Sequence, residues 1–539
     1  MSEHGTVWNF IHHKCYQNLF KGDIVLDKGK AKINQGKLRR RDILLGAASA
    51  SLTSSLAANF SKASNSLNNW DVKTDVLVMG SGSAGTSAAI EARRSGADVL
   101  VIEGLSQLGG SSAMSGGVVY AGGGTALQRA LKITDTVDSM YDFITKAGGV
   151  HPEPRKVQRY CEGSVEHFDW LVANGVPYSE NLSLAKGIPM GEASLYFSGC
   201  ELAWPANELA LPAPRGHVPG RPGMTGGRYL MAALHNSSRK LGVRYLTRAK
   251  GMELLSGVDG MIRGVIVERE GKTISILARK AVILASGGFI HNREMLEFHA
   301  PELAACSVPW GSAGDQGDGI NMGVSAGATT LRMNQGFAIA PIYPPEDVIS
   351  GIVVNENGQR FLPEDTYHGV LGDAIAYHQG GKAWLITDEA SGYKYKQDNF
   401  LAVAKADTIS TLSQALGFSD GSLENTVSHY NRFAKVGSDP VFKKDTTYLR
   451  PLESPFTAWD LSVTNAFFPA HTFGGLNTTV DSEVTNSSGE IIPKLYAVGR
   501  TSAGIPIAPY FASGLSVGDC TFFGRIAGSK AASLESISA

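Results

Sequence analysis

The feature that most limits what this 539-residue chain can fold into lies between residues 75 and 103. Asp75-Val76-Leu77-Val78-Met79 is a short apolar run of the kind that forms a strand buried on both faces of a parallel sheet. It leads into Gly80-Ser81-Gly82-Ser83-Ala84-Gly85, a GxGxxG turn. In such a turn the first glycine makes the bend and the second lets the backbone meet a pyrophosphate. The third lets the next helix pack on the strand. The pattern predicts that helix over Thr86–Ser95, its first amides facing the phosphates and Gly96 stopping it. Asp98-Val99-Leu100-Val101-Ile102 reads as a second strand. Glu103 follows, 18 positions after Gly85, where a carboxylate accepts hydrogen bonds from ribose hydroxyls. A GxGxxG alone carries little weight. Strand, glycines, helix, strand and carboxylate in that order predict an α/β fold with a Rossmann-type dinucleotide-binding domain.

Other glycine clusters, among 63 glycines in all, decide which dinucleotide. Leu108-Gly109-Gly110-Ser111-Ser112 and Ser115-Gly116-Gly117 come soon after the ribose carboxylate. Ala281-Val282-Ile283-Leu284-Ala285 runs into Ser286-Gly287-Gly288-Phe289, a further strand ending in glycines. Leu495-Tyr496-Ala497-Val498-Gly499, with Arg500 next, is another. After a loop come Gly514-Leu515-Ser516-Val517-Gly518-Asp519 and a helix-like stretch over Cys520–Ala532. Several close backbone approaches at both ends of the chain predict FAD rather than NAD. The FAD-binding domain is then split in sequence, 71–325 and 462–539, with an inserted α+β substrate (cap) domain over 326–461. A chain of this length is too long for one simple core, which fits that division.

Residues 1–70 read differently. Leu38-Arg39-Arg40-Arg41-Asp42-Ile43-Leu44-Leu45 precedes a small-residue stretch from Gly46 to Ala58, the order of a signal peptide. Arg40-Arg41-x-x-Leu44 is like the twin-arginine signal, which exports folded proteins with cofactor bound. Ser61-Lys62-Ala63 offers a cleavage site, and 59–70 reads as a linker. A basic leader with a chance arginine run, in a cytoplasmic protein, is the other reading. The apolar stretch is too short for a membrane span, so none is expected in the mature chain. Net charge is -1, which gives no electrostatic reason to expect nucleic acid as partner. Cys15, Cys161, Cys200, Cys306 and Cys520 are scattered. Buried free thiols are expected, with no iron–sulfur cluster, c-type haem or other metal.

These landmarks resemble the fumarate reductase and 3-ketosteroid dehydrogenase superfamily of FAD enzymes. To those above are added Gly317-Asp318-Gly319, Gly358-Gln359-Arg360-Phe361 and His471-Thr472-Phe473-Gly474-Gly475-Leu476. The resemblance covers Val72 to the C-terminus. It implies cofactor contacts from Gly80, Gly82, Ser83, Ala84, Gly85, Glu103, Gly109, Gly110, Ser111, Ser112, Gly116, Gly117, Gly287, Gly288, Asp318, Arg360, His471, Gly499, Arg500, Gly514, Leu515 and Ser516.

The superfamily divides by chemistry. Its fumarate reductases hold a dianion with arginines. One follows the Arg-Phe-x-Asn-Glu motif, where this chain has Arg360-Phe361-Leu362-Pro363-Glu364-Asp365-Thr366-Tyr367-His368. Another precedes the closing glycines, where this chain has Ala508-Pro509-Tyr510-Phe511-Ala512-Ser513-Gly514. Neither segment supplies the arginine. Tyrosines suit a neutral ketone, as base beside the carbonyl or as donor to it. By resemblance to the ketosteroid dehydrogenases, Tyr367 is the base, and Tyr510 with the Gly514 N–H clamps the carbonyl. Ser513 bonds the substrate or a tyrosine, and Tyr120 is a further site candidate. The wording around Tyr120, Glu166–Leu171 and Glu364–Gly369 is similar to the Δ4(5α) type more than to the Δ1 type. The expected reaction removes a proton beside the ketone and passes a hydride to flavin N5. Reduced FAD then hands electrons to a diffusible quinone-like or separate protein acceptor. The alternatives are an exported fumarate reductase-like enzyme for an unsaturated acid and a non-catalytic flavin-binding protein. Each tyrosine also has an ordinary packed reading, as His471 has a structural one.

Overall fold

The computed structural model describes residues 70–189, 191–220, 225–342, 349–391 and 401–537. The arginine-pair leader and Cys15 lie outside them.

The first described strand, β1 (Val72–Met79), passes through Gly80 into helix α1 (Ser83–Arg94) and strand β2 (Val99–Glu103). Helix α1 starts three residues before the predicted Thr86, because Gly82 in extended conformation caps it directly. Further along come α2 (Gly226–Lys240), β3 (Arg244–Thr247), β4 (Ala249–Ser256), β5 (Ile262–Arg269) and β6 (Lys272–Leu284). After α3 (Asp318–Ser325), the middle segment supplies β7 (Ile352–Val354), β8 (Trp384–Asp388), β9 (Ala402–Ala406), α4 (Ser422–Ala434) and β10 (Phe456–Asp460). The last segment adds β11 (Glu483–Thr485), β12 (Ile491–Ala497) and α5 (Leu515–Ser533).

One sheet runs β11-β12-β6-β1-β2-β3, with β4 and β5 folded onto β6 as an antiparallel ribbon. Pairs β6–β1, β1–β2, β2–β3 and β6–β12 are parallel. Strand β12 therefore brings the C-terminal segment into the sheet begun by β1. The apolar runs follow from burial on both faces. Val76 and Val78 point into one core, Leu77 and Met79 into another, as period-two alternation requires. Helix α5 packs along α1, where a β-carbon at Gly524 or Gly528 would fall 2.4 Å or 2.1 Å from an α1 carbonyl oxygen. This helix begins five residues before the predicted Cys520, because Gly514, at φ +100°, turns the chain into it.

The middle segment forms its own antiparallel sheet, β7-β8-β10-β9. Leu423 and Val427 of α4 bury against Ile352, Ile386 and Ala458 of that sheet. No helix among the described residues is long and apolar enough to cross a membrane. Cys161, Cys200, Cys306 and Cys520 are free.

Candidate active site

A cavity runs along the carboxyl ends of β1, β2 and β6, lined by Gly80 to Ala84, Glu103, Gly110 to Ser112, Gly287, Asp318 and Gly499–Arg500. The three glycines of the first turn divide their work by geometry. At Gly80, φ is +111° and a β-carbon would lie 2.2 Å from the Ala285 carbonyl oxygen, so only glycine makes this bend. At Gly85 it would lie 2.0 Å from the Gly80 carbonyl oxygen, which is the helix-on-strand contact. At Gly82 the nearest atom is Ser112 Oγ at 3.5 Å, so the backbone there is bare toward the cavity. Glu103 is set by its neighbours. Ser81 donates to Oε2 from its N–H at 3.1 Å and its hydroxyl at 2.7 Å, and the Leu105 N–H donates to Oε1 at 3.0 Å. Oε1, with a single donor, keeps capacity for a ribose hydroxyl.

Asp315 and Lys250 also line this cavity, and neither was singled out from sequence. Asp315 Oδ2 accepts from Ser111 Oγ at 2.6 Å and Arg500 Nη2 at 2.8 Å, so one carboxylate joins three distant segments. Lys250 pairs with Asp318 at 3.1 Å. The signal that could have found Asp315 is its place two residues before Gly317-Asp318-Gly319. A bare glycine turn, the amino end of α1 and a held carboxylate are what a dinucleotide needs. The residues present fit FAD, which the chain binds.

Several sequence candidates sit elsewhere. Gly116 and Gly117 are packing positions: β-carbons there would meet Ile188 at 2.6 Å and the Gly226 carbonyl carbon at 2.4 Å. Gly288 is the crossing with Thr472, 2.3 Å from where its β-carbon would be. Arg360 does not reach the cofactor cavity. Its guanidinium grips Glu364 at 2.8 Å and 2.7 Å and Asp439 at 2.8 Å, and lies over the Tyr430 and Phe442 rings. Lys444 joins the same buried group at 3.3 Å from Glu364. The two cations hold the Glu364 carboxyl below its usual range despite its burial. His471 pairs through its backbone with Phe337, and its ring stands edge-on to Phe337 and Phe473. Burial, with Arg500 beside it, keeps this imidazole neutral.

A second cleft contains Tyr367, with one wall from residues 184–187 and 196–203 and the other from Ile342, Ile349 and 364–371. Tyr367 ends the loop before the helix His368–Asp373, which fixes its backbone. Its Oη lies 2.6 Å from Ser513 Oγ. Ser513 is itself clamped: its N–H donates to the Ser198 carbonyl at 2.9 Å, and Ser198 Oγ donates to the Ser513 carbonyl at 2.9 Å. The adjacent His368 is deeply buried, which pushes its pKa down to about 3, so it is a neutral ring and not a proton acceptor at physiological pH.

The Tyr510 ring centre is 6.4 Å from that of Tyr367. Its Oη accepts the Ser516 N–H at 2.9 Å, at the amino end of α5. Gly514 itself, at φ +100°, turns the chain into α5 four residues after Tyr510. Burial pushes the Tyr510 phenol up to about 12, while hydrogen bonding pulls the other way. It is therefore neutral and able to donate. Leu515 and Ser516 belong to this helix start.

Tyr120 does not line either cavity. It is fully buried, its ring stacked on Phe143 at 5.8 Å, and burial raises its pKa well above the usual value. Its N–H donates to the Gly514 carbonyl at 3.1 Å, so its part is to hold the turn into α5.

The model of the FAD binding domain family matches residues 75–509. A 3-oxo-5-alpha-steroid 4-dehydrogenase from Comamonas testosteroni is 30% identical over 501 residues, 80% of this chain and 93% of that protein. A fumarate reductase (cytochrome) from Shewanella frigidimarina is 29% identical over 477 residues, 85% of this chain and 77% of that one. The crystal structure of a 3-ketosteroid-Δ4-(5α)-dehydrogenase from Rhodococcus jostii RHA1, in complex with 4-androstene-3,17-dione, is 40% identical. It superimposes with a TM-score of 0.82 over 86% of this chain and 98% of that one.

Proposed function

Because the chain belongs to the FAD binding domain family and is an FAD-dependent oxidoreductase, we propose that it dehydrogenates a 3-ketosteroid or similar flat apolar ketone, between C4 and C5. The observation that carries this reading is Tyr367 on the wall of a largely apolar cleft, its Oη 2.6 Å from Ser513 Oγ. The lining contains one cation, Lys186, whose Nζ donates to the Asp365 carbonyl at 2.5 Å and lies 4.9 Å above the Tyr448 ring. Glu364 and Asp365 line it too. A dicarboxylate would enter beside carboxylates with no arginine to receive it, whereas a neutral ketone meets no such cost.

Bound FAD supplies the two-electron acceptor for the hydride leaving C5. Tyr367 takes the proton from C4, and the Ser513 hydroxyl at 2.6 Å stabilises the phenolate oxygen that does so. Tyr510, kept as the neutral phenol, donates to the ketone oxygen. The Ser516 N–H that its oxygen accepts makes it a stronger donor. The electrons then leave through a diffusible quinone-like compound or a separate protein. Likeness to the Comamonas 3-oxo-5-alpha-steroid 4-dehydrogenase and to the Rhodococcus structure supports the substrate class and the Δ4 position.

The test is turnover of 5α-androstane-3,17-dione by the purified holoprotein with an artificial electron-accepting dye, followed by product identification. The expected product is the 4-ene-3-ketone, with the rate falling at least ~100-fold in Tyr367→Phe. A 1-ene product would move the reaction to C1–C2. Reduction of fumarate or a related acid by dye-reduced protein, with no steroid product, would refute the reading.

A further inference from the structure

The cleft that holds Tyr367 carries a polar group that the proposed reaction does not use. Asp365 lines it from the same loop, two residues before Tyr367, and is 4% exposed. Its Oδ2 accepts the Asp445 N–H at 3.1 Å, but its Oδ1 is buried with no donor. The nearby cations are directed elsewhere. Lys186 Nζ donates to the Asp365 main-chain carbonyl, and Lys444 Nζ donates to the Gly351 carbonyl at 2.7 Å and pairs with Glu364. Three other polar groups of the wall have partners: Tyr367 Oη has Ser513, Ser198 Oγ has the Ser513 carbonyl, and Glu364 has Arg360.

A buried carboxyl oxygen without a donor is costly in the empty protein, and that cost disappears when an O–H arrives. Resting on the ketosteroid reading above, we propose that Asp365 is a specificity residue, which takes a hydroxyl carried elsewhere on the flat apolar ketone. The preferred substrate class is then a hydroxy-ketone over the diketone of the same skeleton. A carboxylate oxygen only accepts, so a second carbonyl at that point sets lone pair against lone pair. Leu184, Ala185, Ile342, Ile349 and Leu371 of the same cleft receive the apolar skeleton around it.

The test uses FAD-loaded full-length protein and 4-ene-3-ketosteroids, the expected products, which bind without reducing the flavin. Hydroxyl and keto forms are compared at C11 and at C17, with Kd read from the change in flavin absorbance. In at least one pair the wild type is expected to hold the hydroxyl form at least ~10-fold more tightly. Asp365→Leu is expected to bring that pair to within about twofold. Asp365→Asn, nearly the same shape, does likewise if the leucine variant fails to fold. Equal affinities in every wild-type pair, or an unchanged preference in Asp365→Asn with a normal flavin spectrum, would overturn the assignment while leaving the ketosteroid reading intact. No response of the wild-type flavin to any of these steroids would overturn that reading, and this inference with it.

Discussion

Tyr367 and Tyr510 carry the same hydroxyl in different surroundings, and the difference supports the separate roles proposed for them. The Tyr367 hydroxyl meets that of Ser513, whereas Tyr510 accepts the Ser516 N–H and stays protonated. If Tyr367 must ionise, kcat/KM rises with pH in the wild type, and that limb disappears in Tyr367→Phe. Tyr510→Phe is expected to lose ~10²–10³ in kcat while keeping the rising limb. A pH profile of each variant checks this, and loss of the limb in Tyr510→Phe would exchange the two roles. Both tyrosines and Ser513 were readable because they occupy motif positions. Tyr120 and Arg360 also stand in motif-like stretches, yet the Tyr120 ring stacks on Phe143 and the Arg360 guanidinium is taken by Glu364 and Asp439. Sequence position does not say which way a side chain points. The partner that claims Arg360, Asp439, lies 79 residues away and belongs to no motif. Lys186 was passed over as a loop residue with no pattern to announce it, and Asp365, though inside the Arg360–His368 stretch, was given no role.

The elements repeat this division between what local pattern encodes and what packing decides. The last residues of β1, β6 and β12 were legible as apolar runs ending in glycine, and β2 as one ending in Glu103, because those stretches are buried on both faces. The α5 start was misplaced because a glycine at positive φ, and not a change of periodicity, begins the helix. The first turn allows a sharp comparison. Gly82→Ala is expected to fold with unchanged melting temperature but to lose FAD, since its β-carbon clears the protein and enters only the cofactor's space. Gly85→Ala is expected to fail in folding, since α1 would have to move off β1. Flavin content and thermal unfolding separate the two. Beside the middle sheet, Arg360→Met leaves Glu364 with Lys444 alone and Asp439 without its cation, and breaking such a buried pair typically costs ~3–5 kcal/mol. A lower melting temperature with the flavin spectrum of the folded fraction retained is the expected outcome. Loss of FAD from folded protein would return Arg360 to the cofactor site.

At the scale of the whole molecule, the halves of the chain are tied through buried charges as well as through the sheet. Asp519 of α5 accepts the Ile505 N–H at 2.8 Å, within the field of Lys156 and Arg332 from two earlier segments. Burial raises its pKa from 3.8 to about 6. Between those values the unfolded chain releases a proton that the folded protein keeps. The group's contribution to stability is thus complete below 3.8 and is lost as pH rises through about 6. Asp519→Asn, which cannot titrate, should gain melting temperature relative to wild type between pH 4 and pH 6.5; a constant difference would contradict the shift. The overall α/β plan and FAD binding were legible from the order of landmarks alone. The substrate cleft was not, because its walls come from segments more than a hundred residues apart. The claim that depends most on that cleft is oxidation of a ketosteroid, and anaerobic mixing of the oxidised holoprotein with 5α-androstane-3,17-dione tests it most directly. Bleaching of the flavin absorbance by the steroid, abolished in Tyr367→Phe, is the expected result. A flavin left oxidised by every saturated 3-ketosteroid, in protein whose reduced form is reoxidised by fumarate, would contradict it.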